Sequence, residues 1–489
     1  MIFDTTVWMS LVILLPLAAA ITAFLLPRHA LAIGLTSSGL IVLSVIALTI
    51  SLVDGGAARD QMGGWGAPLG IDLVADGLSA VMLLMTAAVG LAITIYAKGY
   101  FPARDAHKRA FFWPLWLFLW GSLNALFLSG DIFNLFVTLE LLGLSAVALT
   151  ALVGKPTAVR AAMRYLLVGL AGSMMYLLGV AFVYAGYGAL DIAQLRMLVA
   201  DGPPLYAAAT LMTVGLMMKG ALFPLHFWLP PAHANAAAPV SALLSALVVK
   251  APFYIMLRLW MDVLYPLADT AAPQVLSALG IAAILWGSIQ ALRQPKFKLL
   301  VAYSTVAQLG YLFLLIPALL ADSRPQVLGA IVSFMVAHAA AKAAAFLSAG
   351  NILHATGDEQ IASFTGLLRT LPLTVTTFAL AGLSLVALPP SGGFIAKWLL
   401  LDRALANGDW WLVVVIIAGG LLAAGYVMRV LGPTFRERET KPTNARAVPR
   451  SMALSAFGLS VLAIILGFMG VYLLDLLAIE PVSMMVGGG

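Results

Sequence analysis

The chain has 489 residues, 62% of them hydrophobic and only 10% charged, with a mean hydropathy of +1.02. Water-soluble domains carry about 25% charged residues, so a soluble multidomain enzyme is excluded and one polytopic helical bundle is expected. The net charge of +6 does not indicate nucleic acid, because the surplus lies in loops and in lysines within apolar runs; the lack of cysteine removes disulfides, thiolate metal sites and iron–sulfur ligation.

The first apolar run, Val7 to Leu26, follows a segment with one acid and no Lys or Arg. A secretory leader needs a basic start, so a retained first span is expected. Windows of about 20 apolar residues predict fourteen spans. They cover 6–26, 31–53, 74–97, 111–129, 131–153, 161–187, 205–228, 237–262, 272–292, 298–319, 326–354, 371–402, 410–432 and 452–474. Loops after odd-numbered spans hold eighteen Lys and Arg, among them Lys98, Lys155, Arg293, Lys296 and Lys298; loops after even-numbered spans hold five. Cytoplasmic loops concentrate Lys and Arg, so both termini are expected on the outer face.

Glu140, Lys219, Lys250, Lys342 and Lys397 fall inside these apolar runs, with His338 four residues before Lys342. A charge at bilayer depth costs from ~2.5 to more than 10 kcal/mol, so each asks for a task, and ion movement is the leading one. Glu140 lies nine residues beyond Asp131, about 13 Å along a helix. A Glu–Lys pair of variable separation would be a protonation switch, and a fixed structural ion pair is the rival reading. Pro224 follows Lys219 and Pro252 follows Lys250, weakening local backbone pairing, although such prolines are often simple kinks. His338 and Lys342 share one helix face and read as a proton relay. Pro389-Pro390-Ser-Gly-Gly393 before Lys397 permits an unwound segment, and the context reads as a gate or exit. Like charges and desolvation lower lysine proton affinity, so a chain of exchanging bases is expected, with Tyr303, Ser304 and Thr305 able to bridge gaps. His226 and His233 lack the neighbouring ligands of a metal site, and Gly154-Lys155-Pro156 lacks the rest of a phosphate loop, so no metal or cofactor is expected. A Gly-x-x-x-Lys element occurs at Gly215 to Lys219 and again at Gly393 to Lys397, five spans apart. Five is odd, so the matching helices would run in opposite directions, as in inverted repeats with broken helices.

The run from Lys219-Gly-Ala-Leu-Phe-Pro through Trp-Leu-Pro-Pro-Ala-His233 to Ala-Pro239-Val-Ser and Lys250 resembles the central signature of the proton-translocating antiporter family. That family includes Mrp-type Na⁺/H⁺ antiporter subunits and the antiporter-like subunits of respiratory complex I. Asp131 to Glu140, His338-Ala-Ala-Ala-Lys342 and Ser391 to Lys397 match it as well. The resemblance implies an all-α membrane protein with two inverted five-helix repeats, spans four to eight and nine to thirteen, with spans seven and twelve discontinuous. It divides the chain into 1–110, 111–262, 272–432 and a last span at 452–474. It also implies a gating pair of Glu140 and Lys219, a connector at Lys250, a second relay of His338 and Lys342, and a terminal site at Lys397. Gly215, Pro224, Pro389, Pro390 and Gly393 would form the breaks. Many relatives have Asp where this chain has Pro231, so that acid's role does not carry over. The absence of a long C-terminal extension, and Lys397 in place of Glu, favour the D-type branch of the Mrp antiporter subunits.

The expected function is therefore proton translocation by one subunit of a cell-membrane complex that exchanges Na⁺ or a similar monovalent cation for H⁺. The expected partners are other membrane subunits and the lipid bilayer. Rival readings are a proton-pumping subunit of a redox-driven complex such as complex I or a membrane hydrogenase, a structural scaffold, and a stand-alone carrier of an anionic solute.

Overall fold

The computed structural model describes residues 4–67, 70–102, 105–320, 324–437 and 446–479. The basic residues Arg104, Arg438 and Lys441, which contribute to the orientation expected from the loop charges, lie outside these. Eleven helices among the described residues are long and apolar enough to cross a membrane. They coincide with eleven of the fourteen predicted windows. The other three windows fall on interrupted helices. Window 205–228 covers Pro203–Lys219 and leads to Leu229–Asn235, window 371–402 covers Pro372–Val386 and Gly392–Ala406, and window 452–474 covers Arg450–Ile465 and Gly470–Leu477, a pair bent by 79°.

In lipid every backbone polar group must be satisfied within the chain, so helix starts carry side-chain or proline solutions. Asp76 caps Gly77–Tyr100 through Ser79 in a reciprocal box, and Asp131 accepts from the backbone N–H groups of Phe133 (2.8 Å) and Asn134 (2.7 Å) to start Ile132–Ala151. Pro156, Pro203 and Pro372 open their helices, where the missing N–H costs nothing.

A two-stranded hairpin, Ala58–Gln61 against Asp72–Ala75, closes one end of the bundle. Arg59 ties it down by donating to Asp72 (2.6 Å) and to Asp191 (2.7 Å), while Arg258 donates to Asp76 (2.6 Å). Burial pushes the Asp131 and Asp191 carboxyls above their usual range, against the pull of backbone N–H donors and, at Asp191, of Arg59.

The helices at the centre are apolar on all sides because they are enclosed on all sides. Ala238–Asp262 and Pro325–Thr356, which carry Lys250, His338 and Lys342, are almost wholly buried, whereas Thr5–Leu25 is largely exposed. Helices Pro156–Tyr187 and Pro203–Lys219 meet at Gly172 and Gly215, where a Cβ on Gly172 would lie 2.7 Å from the Gly215 carbonyl oxygen. The helix is continuous through Gly215 to Lys219. This corrects the expectation that Gly215 belongs to the break: it is a small residue that lets two backbones touch. Gly215→Leu should therefore cost at least ~1–3 kcal/mol through overpacking against backbone that has no room to yield. Its melting temperature in detergent should fall by several degrees, and an unchanged value would refute the close-contact reading.

Candidate functional site

Two clusters of buried charge are organised around breaks in the helices. Lys219 is the last residue of its helix, and the chain then turns through Ala221, held at φ 53°, and past Pro224 before helix resumes at Leu229. A helix C-terminus concentrates unpaired carbonyls and favours a cation. The Lys219 Nζ donates to Glu140 Oε1 at 2.5 Å and to the Leu139 carbonyl at 3.3 Å, and the Ser173 hydroxyl donates to the same Glu140 oxygen. Gly143, one turn beyond Glu140, leaves the ammonium room, since a Cβ there would stand 3.5 Å from Nζ. Trp228 pins the break by donating to the Met218 carbonyl (2.8 Å) and by stacking on Tyr165 at 4.1 Å. A small cavity of about 20 Å³, lined by Glu140, Gly143, Tyr165, Lys219 and Pro252, opens beside the pair. The Glu140 side chain is 20% exposed and that of Lys219 7%, so the acid is the pair's contact with the outside.

The second cluster begins where the helix that Pro239 opens loosens into a π turn at Leu244–Val248, a distortion common at functional sites, which sets the position of Lys250. Lys250 Nζ donates to the Ser245 carbonyl at 2.9 Å. The Ser245 hydroxyl lies 2.9 Å from that of Thr305, which donates to the Val301 carbonyl at 3.0 Å. Lys342 Nζ donates to that same carbonyl at 3.1 Å and to the Ser304 hydroxyl. The two lysines are thus linked by hydrogen bonds through Ser245, Val301, Ser304 and Thr305, the last two being among the three hydroxyl residues singled out in the sequence; Tyr303 is only half-buried. His338 stacks on Phe334 at 5.7 Å and feels the charges of Lys250, Lys342 and Lys397. Lys397 Nζ donates to the Leu385 carbonyl at 3.1 Å and sits 4.3 Å from the centre of the Tyr311 ring, a cation–π contact without an acid partner among the described residues.

Pro389 and Pro390 lie in the second break, between Val386 and Gly392, with Ala387 at φ 76°. Gly393 is inside the helix that follows, packed against the Ser384 carbonyl, and Lys397 is on the same helix. Lys219 therefore stands before its break and Lys397 after its own. The two Gly-x-x-x-Lys elements do not occupy matching places, which corrects the register read from sequence.

Sequence reasoning treated Lys298 as one more loop lysine. The structure buries it at the start of Phe297–Leu314, donating to the Ala236 carbonyl. Ser173 and the Arg59, Asp72 and Asp191 group also went unremarked; ordinary Ser and loop acids give no local signal. His226 and His233 are apart in role, stacked on Phe223 (5.4 Å) and Phe346 (4.6 Å) respectively.

Residues 129–423 match the family described as NADH:quinone oxidoreductase/Mrp antiporter, TM, and residues 65–112 match NADH-Ubiquinone oxidoreductase (complex I), chain 5 N-terminus. The chain belongs to this family. It is 35% identical to NADH-quinone oxidoreductase subunit N of Desulforudis audaxviator, covering 94% of this chain and 95% of that protein. It is 29% identical to the D-type Na(+)/H(+) antiporter subunit of Alkalihalophilus pseudofirmus, covering 89% and 87%. Among solved structures, a chain of the Mrp complex from Dietzia sp. DQ12-45-1b superposes with a TM-score of 0.88 at 25% identity, over 96% of both chains. The protein is thus an antiporter-like, multi-span membrane subunit, and its relatives work inside multisubunit membrane complexes, as the motifs around Lys219 and Lys250 implied.

Proposed function

We propose that this antiporter-like subunit moves protons across the bacterial cell membrane and that its assembly exchanges them for Na⁺ or a similar monovalent cation. The observation that carries the reading is the 2.5 Å ion pair of Glu140 and Lys219 at the end of a broken helix, beside a second cluster of lysines held by carbonyls and hydroxyls. Closed, the pair holds the Lys219 proton. When Glu140 draws away, Lys219 loses its counter-charge in a low-dielectric site and gives the proton up toward Lys250; His338 and Lys342 pass it on, and Lys397 is the last base.

A repeated architecture supports the scheme. Pro224 lies three positions after Ala221, and Pro390 three positions after Ala387. The shift of 166 residues that relates these breaks also carries the start of Ala106–Leu128 onto that of Ala272–Arg293, and brings Pro156–Tyr187 within two or three residues of Arg324–Thr356. We read 111–262 and 272–432 as two repeats of five spans, inverted because five is odd. In this register the counterpart of Lys219 is Leu385, whose carbonyl receives the Lys397 ammonium. Lys397 thus brings an ammonium, from the other side of its break, to the backbone of the position that corresponds to Lys219. The counterpart of Glu140 is Val306, so only the first half has a gate. With the basic loops inside, both termini lie outside.

The 35% identity to a quinone oxidoreductase subunit favours a second reading, the same proton path driven by redox chemistry. Inverted vesicles carrying the whole assembly separate the two. Antiport predicts that a Na⁺ pulse collapses a preformed ΔpH. A wild type that ignores Na⁺ and other monovalent cations, yet acidifies vesicles on addition of NADH and quinone, would transfer the subunit to the redox reading.

A further inference from the structure

Lys298 and His233 lie between Lys342 and the face that carries Lys296. Lys298 is 6% exposed, and its Nζ is held on the carbonyl of Ala236. The next residue, Ala237, lines a cavity of about 310 Å³ that opens on this face beside Asp105, Lys108 and Arg446. One peptide unit therefore separates the ammonium from that cavity. On its solvent side Lys298 also feels Glu359, a partly exposed acid that pairs with Lys296 at 2.7 Å. On its inner side lies His233, fully buried, flat against Phe346, and within reach of the charges of both Lys298 and Lys342.

Both ring nitrogens of His233 are buried without a protein partner. Buried polar atoms are almost always hydrogen-bonded, and a site bordered by two amines and an imidazole is polar enough to hold bridging water. A histidine kept only for packing would present at least one nitrogen to a fixed protein group. One whose two nitrogens are both without a protein partner, and which feels the charges of two lysines, has the arrangement of a two-sided proton carrier.

We propose that Lys298 and His233 form a proton inlet from the basic face to Lys342, an inlet that supplies the relay while the Glu140 and Lys219 pair gates it, so that transport needs both. The inference rests on the proton-relay reading given above. In the step, an N–H bond of the Lys298 ammonium breaks as one forms at one ring nitrogen of His233, through water. The imidazolium then releases the proton on its other nitrogen to the neutral amine of Lys342. Lys298, left as an amine, takes its next proton from water in the cavity by Ala237, and Glu359 stabilises the reloaded charge. Protons and charges balance at each transfer, and no oxidant or reductant takes part.

The test uses the complete complex in inverted vesicles, which present the basic face to the medium, with initial proton uptake measured by a pH-sensitive dye. Lys298→Met and His233→Gln should each slow uptake at least tenfold at unchanged subunit content. The decisive variant is Lys298→Arg: it keeps the charge and a donor for Ala236 but holds its proton at any accessible pH. The inlet predicts that it is as slow as Lys298→Met, while Lys298→His, able to release a proton, recovers a substantial part of the rate. Wild-type uptake in Lys298→Arg would show that the lysine only anchors Ala236, and would overturn the inlet. If Lys298→Met does not assemble, the Arg and His pair carries the comparison. Glu140→Gln distinguishes the two levels of the proposal. A dead Glu140→Gln beside a normal Lys298→Arg defeats the inlet alone, and a wild-type complex with no proton uptake under any cation or redox drive defeats the relay with it.

Discussion

Lys219→Met should abolish proton movement and also destabilise the subunit by on the order of 3 kcal/mol, whereas the double variant with Glu140→Gln should regain most of the stability and none of the transport. The reason is the asymmetry of buried pairs. Removing one partner leaves the other charge without compensation, a loss of ~3–5 kcal/mol in enclosed sites, while removing both is often neutral. Here the value falls at the low end because Glu140 keeps 20% of its side-chain exposure and retains the Ser173 hydroxyl as a donor. Glu140→Gln alone leaves the Lys219 ammonium without its counter-charge but preserves an acceptor oxygen for Lys219 and Ser173, so it should lose less stability than Lys219→Met, still assemble, and transport nothing. Thermal melts of the purified complex, alongside vesicle flux, check both halves. A double variant as unstable as Lys219→Met would show that the pair is not the source of the loss.

Lys342→Met should have the opposite effect on stability. Among the described residues no carboxylate pairs with Lys342; its ammonium is held by the Val301 carbonyl and the Ser304 hydroxyl, and it shares its surroundings with the charges of Lys250 and Lys397. A buried ammonium in that position is a cost to the fold, and an apolar side chain of similar length relieves it. The melting temperature should therefore hold or rise. Transport should fall by at least ~100-fold, the usual scale for losing a positioned proton-transfer group. Lys250→Met should behave alike, because the Lys250 ammonium is held by the Ser245 carbonyl within its own helix turn. A melting temperature lowered by several degrees in both variants would mean that these lysines build the core, and the relay would lose its physical rationale.

What could be read from the residues followed from contrast. A lysine in an apolar run stands out whatever its neighbours, so Lys219, Lys250, Lys342 and Lys397 were visible, and the helix-face spacing of His338 and Lys342 was reliable because it depends only on local geometry. The place where a helix breaks was harder. Gly215 and Gly393 looked like the weak points, but the left-handed residues are Ala221 and Ala387, ordinary alanines held there by the surrounding packing. That error misaligned the two halves. Lys298 was hidden by its position two residues after Lys296, where a loop lysine and a buried one look the same. The acids at Asp72, Asp76 and Asp191 come from separate segments, and only the fold brings their arginines Arg59 and Arg258 to them.

The central claim is that the Glu140 and Lys219 pair gates a proton path coupled to cation exchange. It is tested most directly by the dissipation of ΔpH on adding Na⁺ to inverted vesicles that contain the complete assembly, comparing wild type with Glu140→Ala and Lys219→Ala at equal subunit content. The account predicts rapid dissipation in wild type and none in either variant; exchange at the wild-type rate in both variants would contradict it.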